Sequence, residues 1–344
     1  MRKFSILGLV SGLALLASSS AIASTLTQNS TWTLDRGGTT VTTKNRIVAY
    51  GDSIYAGYNT SLFNVGRYAA PNMAAERQAT WWNSDFEIYR RTKSGARADA
   101  IYNEKIVDER SYMQSTTPPK MIIMFEMCGN DYLQARTAYT SNCALSGLNS
   151  ALSTCTTYMG AAMDYIKAND SSKAVAWDIS NLFYPGYDAD NVTTCGSNRR
   201  NTFLPYIAKS NWRACDLARQ KGFSCTDSFA HFMGRDYDSN GDGQADNVAL
   251  QYVSGESEAT YVTRITSTLK STLRDANYKM VSSTTSYDYI QSDDTHPTYW
   301  GTSTCSYGII PGGTCSGTYA QAASPPSNQQ GHSRMGYQTY LKLP

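Results

Sequence analysis

The run KMIIMFEM, Lys120 to Met127, is apolar at nearly every position and lacks the alternation of a strand with one wet face. A strand of this kind is buried on both sides, which requires a layer of helices over each face of its sheet. Arg46 to Tyr50, Phe86 to Tyr89, Lys173 to Asp178 and Ser228 to Phe232 read the same way. Between them lie stripes at helical spacing: Leu152, Cys155, Met159, Met163 and Ile166 form one, and Val262, Ile265, Leu269 and Leu273 another. Strand and helix in alternation imply right-handed crossovers and a parallel sheet. The expectation is a three-layer α/β/α sandwich, and no linker or internal repeat divides it.

The first residues, MRKFSILGLVSGLALLASSSAIAS, place two cations before an apolar run and Ala21-Ile22-Ala23 after it. This is the pattern of a cleaved secretory leader, too short to remain as a membrane span. Cleavage after Ala23 leaves a single domain over 24–344, in a periplasm or outside the cell. Losing Arg2 and Lys3 brings the basic residues from 30 to 28, equal to the 28 acids. A neutral protein has no electrostatic footprint for nucleic acid, and no later segment is apolar enough to span a membrane. Eight cysteines without a CxxC pair, behind a leader, favour disulfides over zinc. Proximity in the chain suggests Cys305/Cys315, Cys215/Cys225 and Cys143/Cys155.

In parallel sheets ligands gather at the carboxyl ends of the strands, and Gly51-Asp52-Ser53 follows the first of them. A serine becomes a nucleophile when a histidine, itself held by a carboxylate, takes its proton. Of the three histidines, His231 falls in an apolar run and His332 opens the last helix, whereas His296 lies in SDDTHPTYW. Asp293, three residues before it, is the expected orienting group, with Asp294 its rival. Oxyanion donors are expected after other strands, at Gly95 in TKSGARAD and Asn130 in FEMCGNDY, beside the Ser53 amide. Each residue also has a bland reading: Ser53 as a helix cap, Gly95 as a turn glycine, Asn130 as a cap, His296 in a solvated turn.

Taken together, GDSI at Ser53, SGA at Gly95, GND at Asn130 and DDTHP at His296, in this order, resemble the four sequence blocks of the GDSL/SGNH hydrolases. The resemblance implies Ser53 as nucleophile, His296 as base and then acid, Asp293 as its orienting group, and Ser53, Gly95 and Asn130 as the oxyanion hole. It also implies a flavodoxin-like sheet and hydrolysis of carboxylic esters with no catalytic cofactor. Two departures stand out. Cys128 replaces the first glycine of the third block, where a disulfide could brace the loop, and about 30 residues, roughly 298–330, are inserted after His296, closed by Cys305 and Cys315 as a wall of the cleft.

RDYDSNGDGQADN spaces Asp238, Asn240, Asp242 and Asp246 as ligands around one hard cation, although neither reading frame carries the closing glutamate. A structural calcium ion and an ordinary turn both fit. Trp81-Trp82 and the 25 tyrosines could bind sugar or acyl groups, but such residues more often pack. The expected protein is a secreted serine esterase acting on lipid or short-acyl esters. A polysaccharide O-acetyl esterase and a non-catalytic carbohydrate-binding or adhesive protein are the alternatives.

Overall fold

The apolar runs bury both faces. Along Asn45–Gly51, Val48 and Tyr50 enter one hydrophobic cluster while Ile47 and Ala49 enter another, and along Met121–Phe125 Ile123 and Phe125 part from Ile122 and Met124 in the same way. The structure, a computed structural model, describes residues 26–37, 43–59, 61–183, 193–233, 250–268, 290–291, 295–298, 300–301, 304–306, 315–326 and 330–344.

The main sheet contains β1 (Ser30–Asp35), β2 (Asn45–Gly51), β3 (Phe86–Ser94), β4 (Met121–Phe125), β5 (Ala174–Ser180), β6 (Ser224–Thr226) and β7 (Cys315–Ala320). Their order is β6-β5-β4-β2-β3-β1-β7, and Leu26–Thr27 adds antiparallel to β3 as an eighth strand. From β6 across to β3 every pair is parallel, with Val48 opposite Ile123 on one side and Tyr89 on the other. Numbering these five strands by their place in the chain gives 2-1-3-4-5, the flavodoxin-like order whose ligand crevice lies where the winding reverses. Here that point is the carboxyl end of β2.

Besides the helical turns of Ala98–Ala100, Ile101–Val107 and Ser111–Gln114, the helices among the described residues are α1 (Ser53–Ala56), α2 (Ala70–Trp82), α3 (Gly129–Asn142), α4 (Ser146–Asn169), α5 (Arg199–Lys221), α6 (Ser228–Met233), α7 (Glu258–Thr268) and α8 (Gly331–Lys342). Met73 and Ala75 of α2 and Met335 of α8 cover one face of the sheet, and Tyr132, Met159, Phe203 and Ile265 of α3, α4, α5 and α7 cover the other. The expected α/β architecture, a mainly parallel sheet between helical layers, is the one observed. At Gly336 the two helices of the smaller layer touch so closely that a Cβ would run into Met73 and the Ala70 carbonyl.

Some expectations need correction. Ser228–Phe232 is helical, not extended: the strand ends at Thr226, and Asp227 caps α6 through Ala230 N to Oδ1 at 3.2 Å. Cys143 is bonded to Cys195, not to Cys155, whereas Cys215–Cys225 and Cys305–Cys315 pair as expected. Cys128 and Cys155 are the two cysteines outside these pairs, and both are buried. Part of the inserted stretch joins existing sheets, with β7 parallel to β1 and Thr304–Ser306 antiparallel to Ser61–Gly66. The expected leader, Leu269, Leu273 and the expected cation ligands Asp238, Asn240, Asp242 and Asp246 lie outside the described residues.

Candidate active site

β2 ends on Gly51 because the Glu126 carboxyl, at the end of the neighbouring β4, lies directly over it; a Cβ at Gly51 would collide with that carboxyl. The next residue, Asp52, caps α1 by accepting from Ile54 N at 2.8 Å through Oδ1. Gly57, at φ 74°, ends α1 after a single turn. Ser53 thus becomes the first residue of a short helix at the sheet rim, 8% exposed, and its N–H has no acceptor within the helix.

His296 lies 243 positions away in the chain, yet its Nε2 is 2.8 Å from Ser53 Oγ. Several contacts bring the ring there. Ile290 and Pro297 form an antiparallel bridge, and Gln291 N donates to the His296 carbonyl at 2.8 Å. Gln291 Nε2 donates to the carbonyls of Tyr58 (2.7 Å) and Pro297 (2.8 Å), and the Tyr58 ring stacks on the imidazole with centroids 4.1 Å apart. From the other side Thr298 accepts from Gly331 N and His332 N, which ties the loop to the start of α8. Asp293 and Asp294 fall at 292–294, outside the described residues.

Asn130, at the start of α3, is buried beside the Asp52 cap of α1. Its Nδ2 is 2.8 Å from Asp52 Oδ2 and 3.0 Å from the Ala96 carbonyl, so both amide hydrogens go to protein acceptors. The second contact ties in the turn after β3, where Gly95 holds φ 74° and Ala96 N returns to the Lys93 carbonyl at 3.1 Å. Ser53, Gly95, Asn130 and His296 therefore belong to one connected patch at the carboxyl edge of the sheet. Trp82 is not part of it: it stacks on Phe86, at the opposite end of β3, and Trp81 beside it is exposed.

Sequence reasoning missed the Asp52–Glu126 pair. Asp52 N donates to Glu126 Oε1 at 2.6 Å, and both side chains are sealed from solvent. Burial pushes both carboxyls upward, and the neighbouring Asp52 charge raises Glu126 further, well above the usual range. Asp52 accepts from Ile54 and Asn130, which hold its carboxyl down against burial, so Glu126 is the one raised further. A charged-looking residue inside an apolar strand end, FEM, was the available signal. The other two histidines are structural. His332 Nδ1 accepts from Ala70 N at 3.3 Å, and burial with Arg90 nearby lowers it to about 3; His231, buried against Arg334, is held well below its ordinary value.

No protein family matches the chain, and no curated protein does. Among solved structures, a lipase from a goat rumen metagenome is 17% identical, with 67% of this chain and 100% of the other covered at a TM-score of 0.43. A phospholipase A1 from Streptomyces albidoflavus is 14% identical over 62% of this chain and 89% of the other, at 0.42. An acetylxylan esterase from Geobacillus stearothermophilus, in a catalytic mutant, is 11% identical over 58% and 80%, at 0.36.

Proposed function

We propose that this chain is a carboxylic ester hydrolase with Ser53 as nucleophile and His296 as its base. The observation that carries the reading is the 2.8 Å contact between Ser53 Oγ and His296 Nε2, made across 243 residues at the sheet's crevice edge. A buried serine against an imidazole is what acyl transfer needs, because the hydroxyl must lose its proton as it attacks.

In the first half-reaction Nε2 takes the Ser53 proton while Oγ adds to the ester carbonyl, and the imidazolium then protonates the leaving alkoxide. In the second half, water attacks the acyl-serine with His296 again as base. Asp293 is proposed to orient the imidazole and stabilise its charged form. The N–H groups of Ser53 and Gly95 and the Asn130 amide are proposed to receive the oxyanion; for this Asn130 must exchange one of its two present acceptors, Asp52 or the Ala96 carbonyl, for the substrate oxygen. Export of the mature chain and a structural calcium ion at Asp238, Asn240, Asp242 and Asp246 belong to the same proposal.

The test is turnover of a panel of short-chain aryl esters, phospholipids and acetylated xylan by the wild type and Ser53→Ala. Ser53→Ala is expected to lower kcat by about 10⁴-fold or more, as in other serine triads. Activity that survives the substitution contradicts the assignment.

A further inference from the structure

Cys128 occupies a backbone position that a cysteine adopts only at a cost. It stands at φ 86° just before α3, in the left-handed region that favours glycine. Among the described residues only Asn83, Cys128, Cys143 and Cys195 are non-glycine residues with positive φ, and Cys143 and Cys195 are bonded to each other. A residue held in such a conformation needs a side-chain reason to be there.

That reason lies across the interface between α3 and α4. Cys155, on the buried stripe of α4, faces Cys128, and the reactive atoms of Cys128, Cys155 and Asp131 all lie within 4.8 Å of one another. A metal does not suit the cluster. Asp131 already accepts from Ala98 N at 2.9 Å and faces Arg97 at 3.4 Å, and burial pushes both thiols above their ordinary values, away from the thiolate a metal requires. The other six cysteines pair with each other, which leaves these two as mutual partners.

We propose that Cys128 and Cys155 are the site of a fourth disulfide, which pins the start of α3, where Asn130 sits, to the middle of α4. The two thiols lose two protons and two electrons as the sulfur–sulfur bond forms, and a disulfide oxidant, small or protein-borne, accepts them through a mixed disulfide and leaves as two thiols. Both cysteines are fully buried once folded, so the exchange takes place while the chain folds. A disulfide needs its sulfurs about 2 Å apart; closure therefore shortens an existing contact and does not draw distant segments together.

The experiment maps cysteines in the full-length chain, exported from a bacterial host or refolded in a glutathione redox buffer. The protein is unfolded in guanidinium with iodoacetamide and no reductant, digested and weighed, then treated again after reduction. The expected result is a peptide pair crosslinked through Cys128 and Cys155, with neither residue alkylated until reductant is added. Alkylation of both without reductant overturns the proposal, whether zinc is released at the same time, as from a metal-held pair, or not. A crosslink from either residue to any other cysteine overturns it too. The mapping does not depend on catalysis, so it can fail while the hydrolase reading stands, and the reverse.

Discussion

At the scale of single residues, the least expected feature is a buried carboxyl that braces the turn carrying Ser53 through its neighbour Asp52. Glu126 holds Asp52 from above, and Asp52 in turn caps the turn that carries Ser53 and accepts from Asn130. Burial raises both carboxyls, and the Asp52 charge raises Glu126 further. Glu126→Gln keeps a neutral group of the same shape and is expected to retain most of the turnover. Glu126→Ala leaves the buried Asp52 N–H without its acceptor. A buried donor left unsatisfied costs about 1–3 kcal/mol, so a fall in kcat of roughly 5- to 150-fold is expected. Steady-state kinetics of the two variants check this, and equal losses would show that the proton on Glu126 is needed rather than its shape. In the sequence Glu126 stands out as a charge inside the apolar FEM, but nothing there marks Asp52 as its partner. That Ser53 and His296 come together was legible, because each lies in a short block with its own chemistry.

At the scale of elements, two close fits can be tested. The smaller helical layer depends on Gly336, and Gly336→Ala drives a methyl group into Met73 and the Ala70 carbonyl of α2. Overpacking of this kind costs about 1–3 kcal/mol, so a lower melting temperature is expected with the fold retained. The second test concerns Asp178 in β5, fully buried and accepting from Ser224 Oγ and Thr226 Oγ1 at 2.9 Å each. Burial raises it from 3.8 to about 7. The folded state therefore holds a proton that the unfolded chain releases near pH 4, and the stability this contributes is lost as pH rises from about 4 to 7. Against the wild type, Asp178→Asn is expected to gain in relative melting temperature across that window. A difference independent of pH would mean that the carboxyl does not titrate there. The central strands were readable because burial on both faces leaves an unbroken apolar run. β1 was passed over although STWTLD alternates, with Trp32 and Leu34 turned inward. α6 was misread because SFAHF is apolar enough for a strand, and its helical state depends on the Asp227 cap.

At the scale of the whole molecule, the winding order of the sheet does most to assemble the patch. With the parallel strands ordered 2-1-3-4-5, the ends of β2, β3 and β4 lie side by side, so Ser53, Gly95 and Asn130 meet although the chain separates them. The histidine arrives by another route, from a loop clamped by Gln291, stacked on Tyr58 and anchored to α8. Pairing rules for cysteines reach less far. Neighbours in sequence correctly suggested Cys215–Cys225 and Cys305–Cys315, but Cys143 spans 52 residues to Cys195 because α4 and α5 run side by side in the same direction, with Tyr206 bonded to Asn149, Arg213 to Thr156 and Lys221 to Asp164, so that their starts lie together.

The central claim is that the Ser53 hydroxyl is made nucleophilic by His296. Its most direct measurement is covalent capture with a fluorophosphonate, which reacts only with an activated serine, followed by peptide mass mapping of the wild type and His296→Ala. The account predicts one labelled residue, Ser53, in the wild type and loss of that label in His296→Ala with the fold intact by circular dichroism. An unlabelled wild-type Ser53, or labelling that persists without the imidazole, would contradict it.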